Sequence, residues 1–385
     1  MDDHGFVMPE EIKILQESVR KFIRKEIIPR EQQIDWDAPY FPPDMLQEVQ
    51  KLGRKLGIWY MDAPEEYGGS GLSVFAQAVI AEEASQHRMG AYNPAGGAFG
   101  YELPNVIFKG TKEQITKYAV PTIQSGRAAF VAITEPSGGS DPARAIQTRA
   151  VKDGNKWILN GNKIFISAVD LADWGIVFAR TSEGRNGITA FIVEKNTPGF
   201  SYSPIPVIRP WYPNELVFDN CVIDDDNRLG NVGEGFKIAE EWLMKGRITY
   251  AAGCIGIAVA ALRMATEYVK QRVTFRTPLS EKQAIQWMIA DSEVEIRAAR
   301  WLTWEAAWKA DRGEPFKHEA SIAKLYATEM ANRVVDRCVQ MFGGLGVSKE
   351  LPLERWYREI RIKRIGEGAS EVHRLVIARN LLMDK

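Results

Sequence analysis

Val131-Ala-Ile-Thr-Glu-Pro-Ser-Gly-Gly-Ser-Asp141 lies where the hydrophobic pattern of this 385-residue chain changes. Before this stretch, apolar residues such as Ile12, Leu15 and Val19 recur every three or four positions, which predicts helices. From Ala128 onward, short β-branched or aromatic runs alternate with turn signals, which predicts strands. The stretch therefore indicates a β domain that follows a helical one.

The predicted β domain spans 126–232. Its turns are expected at Lys152-Asp-Gly-Asn155 and Leu159-Asn-Gly-Asn162, because Asp-Gly and Asn-Gly favour hairpins. The pattern indicates a small antiparallel sheet. Its strands are predicted at 128–134, 157–159, 175–179, 189–193 and 215–218.

After Gly233-Glu-Gly235 the chain again has a helical period. Long helices with short connections indicate an antiparallel bundle, with helices at 235–274, 281–312, 317–342 and 370–382. The predicted fold class is α+β, mainly α. It comprises an N-terminal helical domain (1–125), a middle antiparallel β domain (126–232) and a C-terminal four-helix bundle (233–385).

The composition is that of an ordinary globular protein, with 45% hydrophobic and 26% charged residues and a net charge of −1. This charge gives no electrostatic reason to expect nucleic acid or an anionic membrane as a partner. Three scattered cysteines and an N-terminus without a signal-like apolar segment lead us to expect a cytoplasmic protein. The four histidines form no ligand cluster, so no metal site is expected.

The common nucleotide-binding and hydrolase motifs are absent from the sequence. It contains no GxGxxG after a strand, no GxxxxGK[ST] and no GxSxG. A cofactor would therefore have to be held in another way.

Glu367 is the most informative single residue, in Arg364-Ile-Gly-Glu-Gly-Ala-Ser-Glu-Val-His-Arg374. Its two glycine neighbours leave the backbone open to a ligand, and Ser370 is the predicted N-cap of the next helix. An acid on such a loop is a candidate general base. On these residues alone, a solvated turn acid is an equal alternative.

The stretch 131–141 and the later Asn160-Gly-Asn-Lys-Ile-Phe-Ile-Ser167 resemble the flavin-binding signatures of the acyl-CoA dehydrogenase family. The resemblance extends over essentially the whole chain and includes the α-β-α order and the glycine-flanked glutamate. It implies the three-domain fold of that family, FAD as cofactor and dehydrogenation of an acyl-CoA thioester. It also implies electron-transferring flavoprotein as the electron acceptor.

The resemblance assigns β-domain residues to three parts of FAD: the pyrimidine edge, the pyrophosphate beside the acyl-CoA, and the wall behind the isoalloxazine. Ile133 and Thr134 are assigned to the pyrimidine edge, and Ser140 is assigned to the pyrophosphate. Phe165, Ile166 and Ser167 are assigned to the wall behind the isoalloxazine. A hydroxyl at Ser167 would stabilise the electron-rich reduced flavin. A buried strand pair is the plain alternative for Phe165 and Ile166.

The C-terminal domain carries stretches that resemble FAD motifs shared between subunits, which implies a homotetramer built as a dimer of dimers. Arg272 would pair with the pyrophosphate, although a solvated helix-end arginine is the alternative. The glycines near 343 would meet the adenosine part, or form only a helix C-cap. The residues assigned to FAD here are Arg272, Thr274, Phe275, Gln283, Gln340, Gly343, Gly344, Ala369 and Glu371.

The resemblance makes Glu367 the base, because the other position that the family uses matches Gly246, which has no side chain. The main-chain N–H of Glu367 would stabilise the thioester oxygen. Substrate contacts are assigned to Ser140, Arg247, Gly368 and Arg88. A core salt bridge is the alternative for Arg247, and a surface position is the alternative for Arg88.

Gly366 stands where the family often has a bulky aromatic residue, so we expect a larger pocket and a branched, cyclic or aryl-bearing acyl group. Arg88 would suit a substituted succinyl or glutaryl group. Two other functional classes stay open. One is a flavin oxidase on the same fold, and the other is a non-catalytic scaffold that has lost FAD.

Overall fold

The structure is a computed structural model and describes residues 8–383. Helical segments at both ends of the chain enclose a β domain, as the change of hydrophobic period predicts. The α-helices are α1 (Glu10–Phe22), α2 (Ile28–Glu31), α3 (Pro43–Lys55), α4 (Val74–Ala84), α5 (Lys112–Gln114), α6 (Val120–Ser125), α7 (Pro142–Ala145), α8 (Gly235–Gln271), α9 (Gln283–Asp311), α10 (Lys317–Phe342), α11 (Leu353–Lys363) and α12 (Ser370–Met383). The strands are β1 (Ala128–Ala132), β2 (Arg149–Asp153), β3 (Lys156–Ile166), β4 (Ala172–Arg180), β5 (Ile188–Glu194), β6 (Phe200–Pro204), β7 (Asn214–Asp224), β8 (Arg228–Leu229), β9 (Val273–Thr274) and β10 (Thr277–Pro278).

Helix α4 fastens the N-terminal domain to the C-terminal bundle. Apolar residues occur on all of its sides, and it is mostly buried because it packs against α1, α8 and α9. The Asp311 carboxylate of α9 accepts the first two main-chain N–H groups of α4, at 2.6 and 2.9 Å. Arg300 of α9 donates to both carboxylate oxygens of Glu82 in α4. These charge-assisted bonds join the two helical domains directly.

The main sheet is mixed rather than antiparallel. Its strand order is β6-β7-β3-β2-β4-β5-β8, with β1 beside β4. Strand β4 runs parallel to both β1 and β2, whereas the other pairs in this sheet are antiparallel. The long connection from β1 to β4 contains α7 and the β2–β3 hairpin, which is enough chain to return a strand in the same direction.

The two predicted hairpin turns have different outcomes. Asp153 pairs with Lys156, so Gly154 and Asn155 form a two-residue turn in which Gly154 has a φ of 57°. The second prediction is wrong, because residues 159–162 lie within β3. A register shift occurs beside Gly161, where an added Cβ would lie 2.6 Å from the Thr148 hydroxyl. This glycine allows a close backbone approach rather than a turn.

The bundle confirms the predicted C-terminal helices, with α8 and α9 ending one to three residues earlier than expected. Helix α8 has 37 residues and is long and apolar enough to cross a membrane, yet 67% of its most apolar window is buried inside the protein. Helix α11 was not predicted from sequence. Its buried residues Leu353, Trp356 and Ile360 follow helical spacing and could have indicated it.

A buried ion pair braces the stretch that resembles a flavin signature. Lys163 donates to the Glu135 carboxylate at 2.8 Å and to the Ile133 carbonyl at 3.0 Å. The same carboxylate accepts the main-chain N–H groups of Gln147 and Thr148. Lys163 and Glu135 are both almost completely buried. The pair therefore fixes the segment directly after β1 against β3.

Lys163→Ala should lower the free energy of unfolding by about 3–5 kcal/mol, because it leaves the Glu135 carboxylate buried without its counter-ion. The midpoint of urea unfolding measures this loss. The control is Lys156→Ala, which removes an exposed lysine at the start of the same strand. Equal midpoints for the two variants would contradict the bracing role.

Candidate active site

Glu367 lies on the turn between α11 and α12, in a left-handed backbone conformation. Its φ is 56°, which is unfavourable for a residue with a side chain. Helix α12 begins at Ser370, the first residue of the predicted helix 370–382, and the Ser370 hydroxyl donates to Glu329 at 2.6 Å. The N-cap prediction for Ser370 is therefore wrong, since this hydroxyl holds the turn against α10.

Side chains from three helices hold the main chain of this turn. The Glu367 carbonyl lies 3.1 Å from His373 Nε2 and accepts from Arg247 Nε at 3.4 Å. Lys324 Nζ donates to the Gly368 carbonyl at 2.6 Å. Burial and the charges of Arg247 and Lys324 lower the pKa of His373 to about 3, so the ring is neutral and Nε2 can donate. The turn is held in place although its backbone is strained.

The Glu367 carboxyl group is surrounded by protein and has an unpaired oxygen. Its Oε2 is buried and has no hydrogen-bond partner among the described residues. Burial raises its pKa, while the charges of Arg247, Lys324 and Lys363 act in the opposite direction. A raised pKa and an unpaired oxygen suit a carboxylate that takes a proton from a ligand.

Gly246 faces the same place as the Glu367 carboxyl group. A Cβ built at Gly246 would lie 3.8 Å from Glu367 Oε2. A longer acidic side chain at position 246 would therefore compete for the position that the Glu367 carboxyl group occupies. The two base positions implied by the sequence resemblance thus converge in space.

The space beside Gly366 is already filled. A Cβ at Gly366 would lie 2.7 Å from the Tyr250 hydroxyl of α8. The expectation that loss of an aromatic residue at 366 enlarges the pocket is therefore wrong, because a tyrosine from another helix occupies that space.

Three residues near Glu367 were missed by the sequence reasoning. Arg209 and Lys363 are almost completely buried, and their charged groups lie 3.9 and 4.1 Å from the ring centre of Tyr92. Arg209 also donates to the Ser167 hydroxyl at 2.9 Å. Separated by more than 100 positions in sequence, these residues share no local motif. The only local signal was the helical spacing of Leu353, Trp356 and Ile360, which places Lys363 on the same face of α11.

The β-domain residues assigned to FAD differ in exposure. Phe165 is 54% exposed, with a φ of 58°, where the β3–β7 register shifts, so its ring is presented on the surface. Ser140 is exposed, and Ile133 and Thr134 are partly buried. Ile166, in contrast, is buried in the β-domain core, which supports the buried-strand alternative for its side chain.

The bundle residues assigned to FAD gather at one end of the bundle. Tyr268 near the end of α8 stacks on Phe342 at the end of α10, with ring centres 4.2 Å apart. The stretches that follow these two helices therefore start side by side. They contain the predicted residues Arg272, Thr274 and Phe275 after α8, Gly343 and Gly344 after α10, and nearby Gln283 and Gln340.

Several of these bundle residues are open to solvent. Phe275 is 93% exposed, and Arg272, Gln283, Gln340 and Gly343 are exposed as well. Gly343 ends α10 with a φ of 59°, so the C-cap interpretation of this glycine is compatible with the structure. A large exposed aromatic ring beside exposed polar residues is suited to contact with a ligand or another subunit.

Arg88 does not join the Glu367 site. Its guanidinium donates to the main-chain carbonyls of Lys349 and Glu350, at 2.7 and 3.0 Å. The substrate role assigned to Arg88 is therefore corrected to a structural contact between the N-terminal domain and the bundle. Ala369 is partly buried and Glu371 is exposed, and both flank the start of α12.

Comparison with known proteins identifies the class of this chain. Sequence profiles of the acyl-CoA dehydrogenase N-terminal, middle and C-terminal domains match residues 9–126, 130–221 and 233–382. The chain belongs to the acyl-CoA dehydrogenase family and is an oxidoreductase. Its three-domain fold, predicted from sequence, is confirmed.

Individual relatives cover almost the whole chain. The human mitochondrial short-chain specific acyl-CoA dehydrogenase is 38% identical over 380 residues, covering 97% of this chain and 91% of the relative. The butyryl-CoA dehydrogenase of Megasphaera elsdenii is 35% identical with a TM-score of 0.87, covering 98% and 100% of the two chains. A glutaryl-coenzyme A dehydrogenase in complex with glutaryl-CoA is 30% identical with a TM-score of 0.88, covering 99% and 97%.

FAD is the cofactor of this family, and the residues described here fit it. The exposed Phe165 ring beside the Ser167 hydroxyl offers an apolar wall with a polar atom, as an isoalloxazine needs. The exposed Arg272 offers a planar donor for a pyrophosphate.

Gly368→Ala should destabilise the turn by about 1–2 kcal/mol, because φ at this position is 90° and L-residues avoid this region. The new Cβ would also lie 3.1 Å from His373 Nε2. The midpoint of urea unfolding tests this, with Gly344→Ala as the control, since a Cβ there meets no atom within 4 Å. A smaller loss for Gly368→Ala than for Gly344→Ala would contradict the strained geometry.

Proposed function

We propose that this protein dehydrogenates an acyl-CoA thioester between its α and β carbons, with Glu367 as the base. The observation that carries the proposal is the Glu367 carboxyl group, which is surrounded by protein and has a buried oxygen without a partner. A buried carboxyl group without a partner is costly, so such groups occur mainly where function requires them.

The raised pKa of Glu367 suits proton abstraction from a weak carbon acid. Because burial raises it, the carboxylate binds a proton more strongly than a solvated glutamate does. The charges of Arg247, Lys324 and Lys363 limit this rise of the pKa, because they favour the ionised form of the carboxyl group. Below its raised pKa the group is protonated, and the rate should fall as the pH decreases.

Other parts of the turn would orient the thioester. The Glu367 N–H donates no hydrogen bond among the described residues, so it is available to the thioester oxygen, on which charge develops. His373, Arg247 and Lys324 fix the two carbonyls of the turn, and thereby fix the direction of this N–H. When bound, FAD supplies the acceptor for the hydride that leaves the β carbon.

The assembly and the electron acceptor are also part of the proposal. Exposed apolar side chains occur on β9, on α9 and between β9 and β10, which supports association into a homotetramer built as a dimer of dimers. They include Val273, Phe275, Trp287, Val294 and Trp301. Electron-transferring flavoprotein would accept the electrons, and three buried, unpaired cysteines support a reducing, cytoplasmic location.

Glu367→Gln should keep the yellow cofactor but slow bleaching of the flavin by thioesters about 100- to 10,000-fold, because the amide cannot accept the α-proton. Anaerobic absorbance changes with a series of acyl-CoA thioesters measure the effect. Glu183→Gln, at an exposed loop position, is the matched control. Bleaching by Glu367→Gln at the wild-type rate would show that another group is the base.

The positions of Gly246 and Glu367 allow the base to be relocated. Glu367→Gly alone should be inactive, and adding Gly246→Glu should raise the rate at least about tenfold, since a carboxylate from 246 reaches the same space. Flavin bleaching by one thioester in the single and double variants tests this. No recovery in a double variant that binds FAD would contradict the convergence of the two positions.

Hydrogen peroxide formation separates the dehydrogenase from an oxidase. A dehydrogenase reduced by thioester should react slowly with air and pass its electrons to an added acceptor. Rapid peroxide production without an acceptor would favour the oxidase alternative.

A further inference from the structure

Lys363 is a buried cation for which the described residues provide no hydrogen-bond acceptor. It ends α11, is 6% exposed and donates no hydrogen bond to any residue in 8–383. Its Nζ lies 3.8 Å from the ring centre of Tyr250 and 4.1 Å from that of Tyr92. Cation–π contacts offset part of the cost of burying an ammonium group, but they leave its N–H donors unused.

The other cations around Glu367 have acceptors. Lys324 donates to the Gly368 carbonyl, Arg247 to the Glu367 carbonyl and Arg209 to the Ser167 hydroxyl. Each of these bonds holds a part of the site in place. Lys363 holds nothing in this way, so a positioning role does not explain why a lysine is buried there.

The acidic groups near Lys363 do not form an ion pair with it. Glu359, one turn earlier in α11, accepts from Arg355 through Oε1 at 3.0 Å, and its Oε2 has no hydrogen-bond partner among the described residues. Glu367 acts on Lys363 only as a nearby charge. Glu102 is partly accessible to solvent. Desolvation of its carboxyl group, together with the charges of Glu367 and Asp62, raises its pKa to about 7. Near neutral pH, Glu102 is therefore partly neutral and only a weak counter-ion.

Lys363 and its two tyrosines border the place where the reacting acyl group must lie. The Tyr250 hydroxyl is 2.7 Å from the Cβ position of Gly366, the residue directly before Glu367. The positive charge of Lys363 acts on the Glu367 carboxyl group. The Arg209 guanidinium also lies over the Tyr92 ring, 3.9 Å from its centre, and adds a second positive charge near Lys363. A pocket for a plain alkyl chain would instead have apolar walls.

We infer that the acyl group carries its own carboxylate beyond the reacting carbons, and that Lys363 binds this carboxylate. The inference rests on the proposed dehydrogenation and names its substrate class, a dicarboxylic acyl thioester. Lys363 is then a residue that determines specificity, with Arg209 adding positive charge. The two tyrosines hold the ammonium group in place while no substrate is bound.

The test compares thioesters of equal carbon number, with and without the second carboxylate. Succinyl-, glutaryl- and adipyl-CoA are paired with butyryl-, valeryl- and hexanoyl-CoA, using the FAD-loaded protein and an artificial electron acceptor. For at least one pair, kcat/KM should favour the dicarboxylic thioester about tenfold to a hundredfold, the range expected for a hydrogen bond between charged groups. Higher kcat/KM values for the neutral thioester in all three pairs would overturn the inference.

Lys363→Met removes the charge with little change in length. It should lower kcat/KM for the favoured dicarboxylic thioester about tenfold to a hundredfold more than for its neutral partner, because the neutral thioester loses only the effect of the Lys363 charge on Glu367. Lys112→Met, at an exposed position in α5, is the control. Equal losses on both thioesters of the pair would indicate a structural role for Lys363 and overturn the inference.

Binding without turnover gives a second measurement. In Glu367→Gln, the change in flavin absorbance on adding the dicarboxylic thioester gives Kd with Lys363 and with Lys363→Met. A weaker Kd in the double variant supports the contact, and an unchanged Kd contradicts it. If no thioester of either kind reduces the flavin of the wild-type protein, the proposed dehydrogenation fails. If only the neutral ones do so, the charge inference alone fails.

Discussion

The central constraint in this structure is a carboxylate held among cations without forming an ion pair with any of them. The charges of Arg247, Lys324 and Lys363 lower the pKa of Glu367. Arg247 and Lys324, however, donate to main-chain carbonyls of its turn and not to the carboxylate. The nearby charges moderate its pKa, and the hydrogen bonds stabilise a backbone conformation that would otherwise be unfavourable. Charge and geometry are therefore controlled by the same side chains.

The site requires all three domains. Tyr92 comes from the N-terminal domain, Arg209 from the segment between β6 and β7, and Lys363 and Glu367 from the bundle. The contacts of α4 with α9 fix the N-terminal domain against the bundle, and the Lys163–Glu135 pair fixes the signature stretch within the sheet. Substitutions at these distant contacts are therefore expected to alter the site without touching it.

Periodicity predicts the helices of the bundle and most strands because each period corresponds to one face in contact with a core. It does not reveal strand direction, so the parallel pairs of β4 required the structure. The glycines around Glu367 and the position of Arg247 could be found from sequence. Tyr92, Arg209 and Lys363 could not, because only the folded chain brings them together. The substrate role predicted for Arg88 was wrong for the same reason, since its side chain donates to main-chain carbonyls of the bundle.

Helix α8 has a consequence for synthesis of the chain. Its apolar surface is covered mainly by α4 and α10, and α10 ends 71 residues after α8 does, at 342 against 271. At translation rates of about 5–20 residues per second, this interval is roughly 4–14 seconds. Until α10 is complete, the nascent helix lacks the packing partner that makes the most extensive contact with it. Its uncovered apolar surface is prone to aggregation at this stage, so chaperone binding would protect the nascent chain.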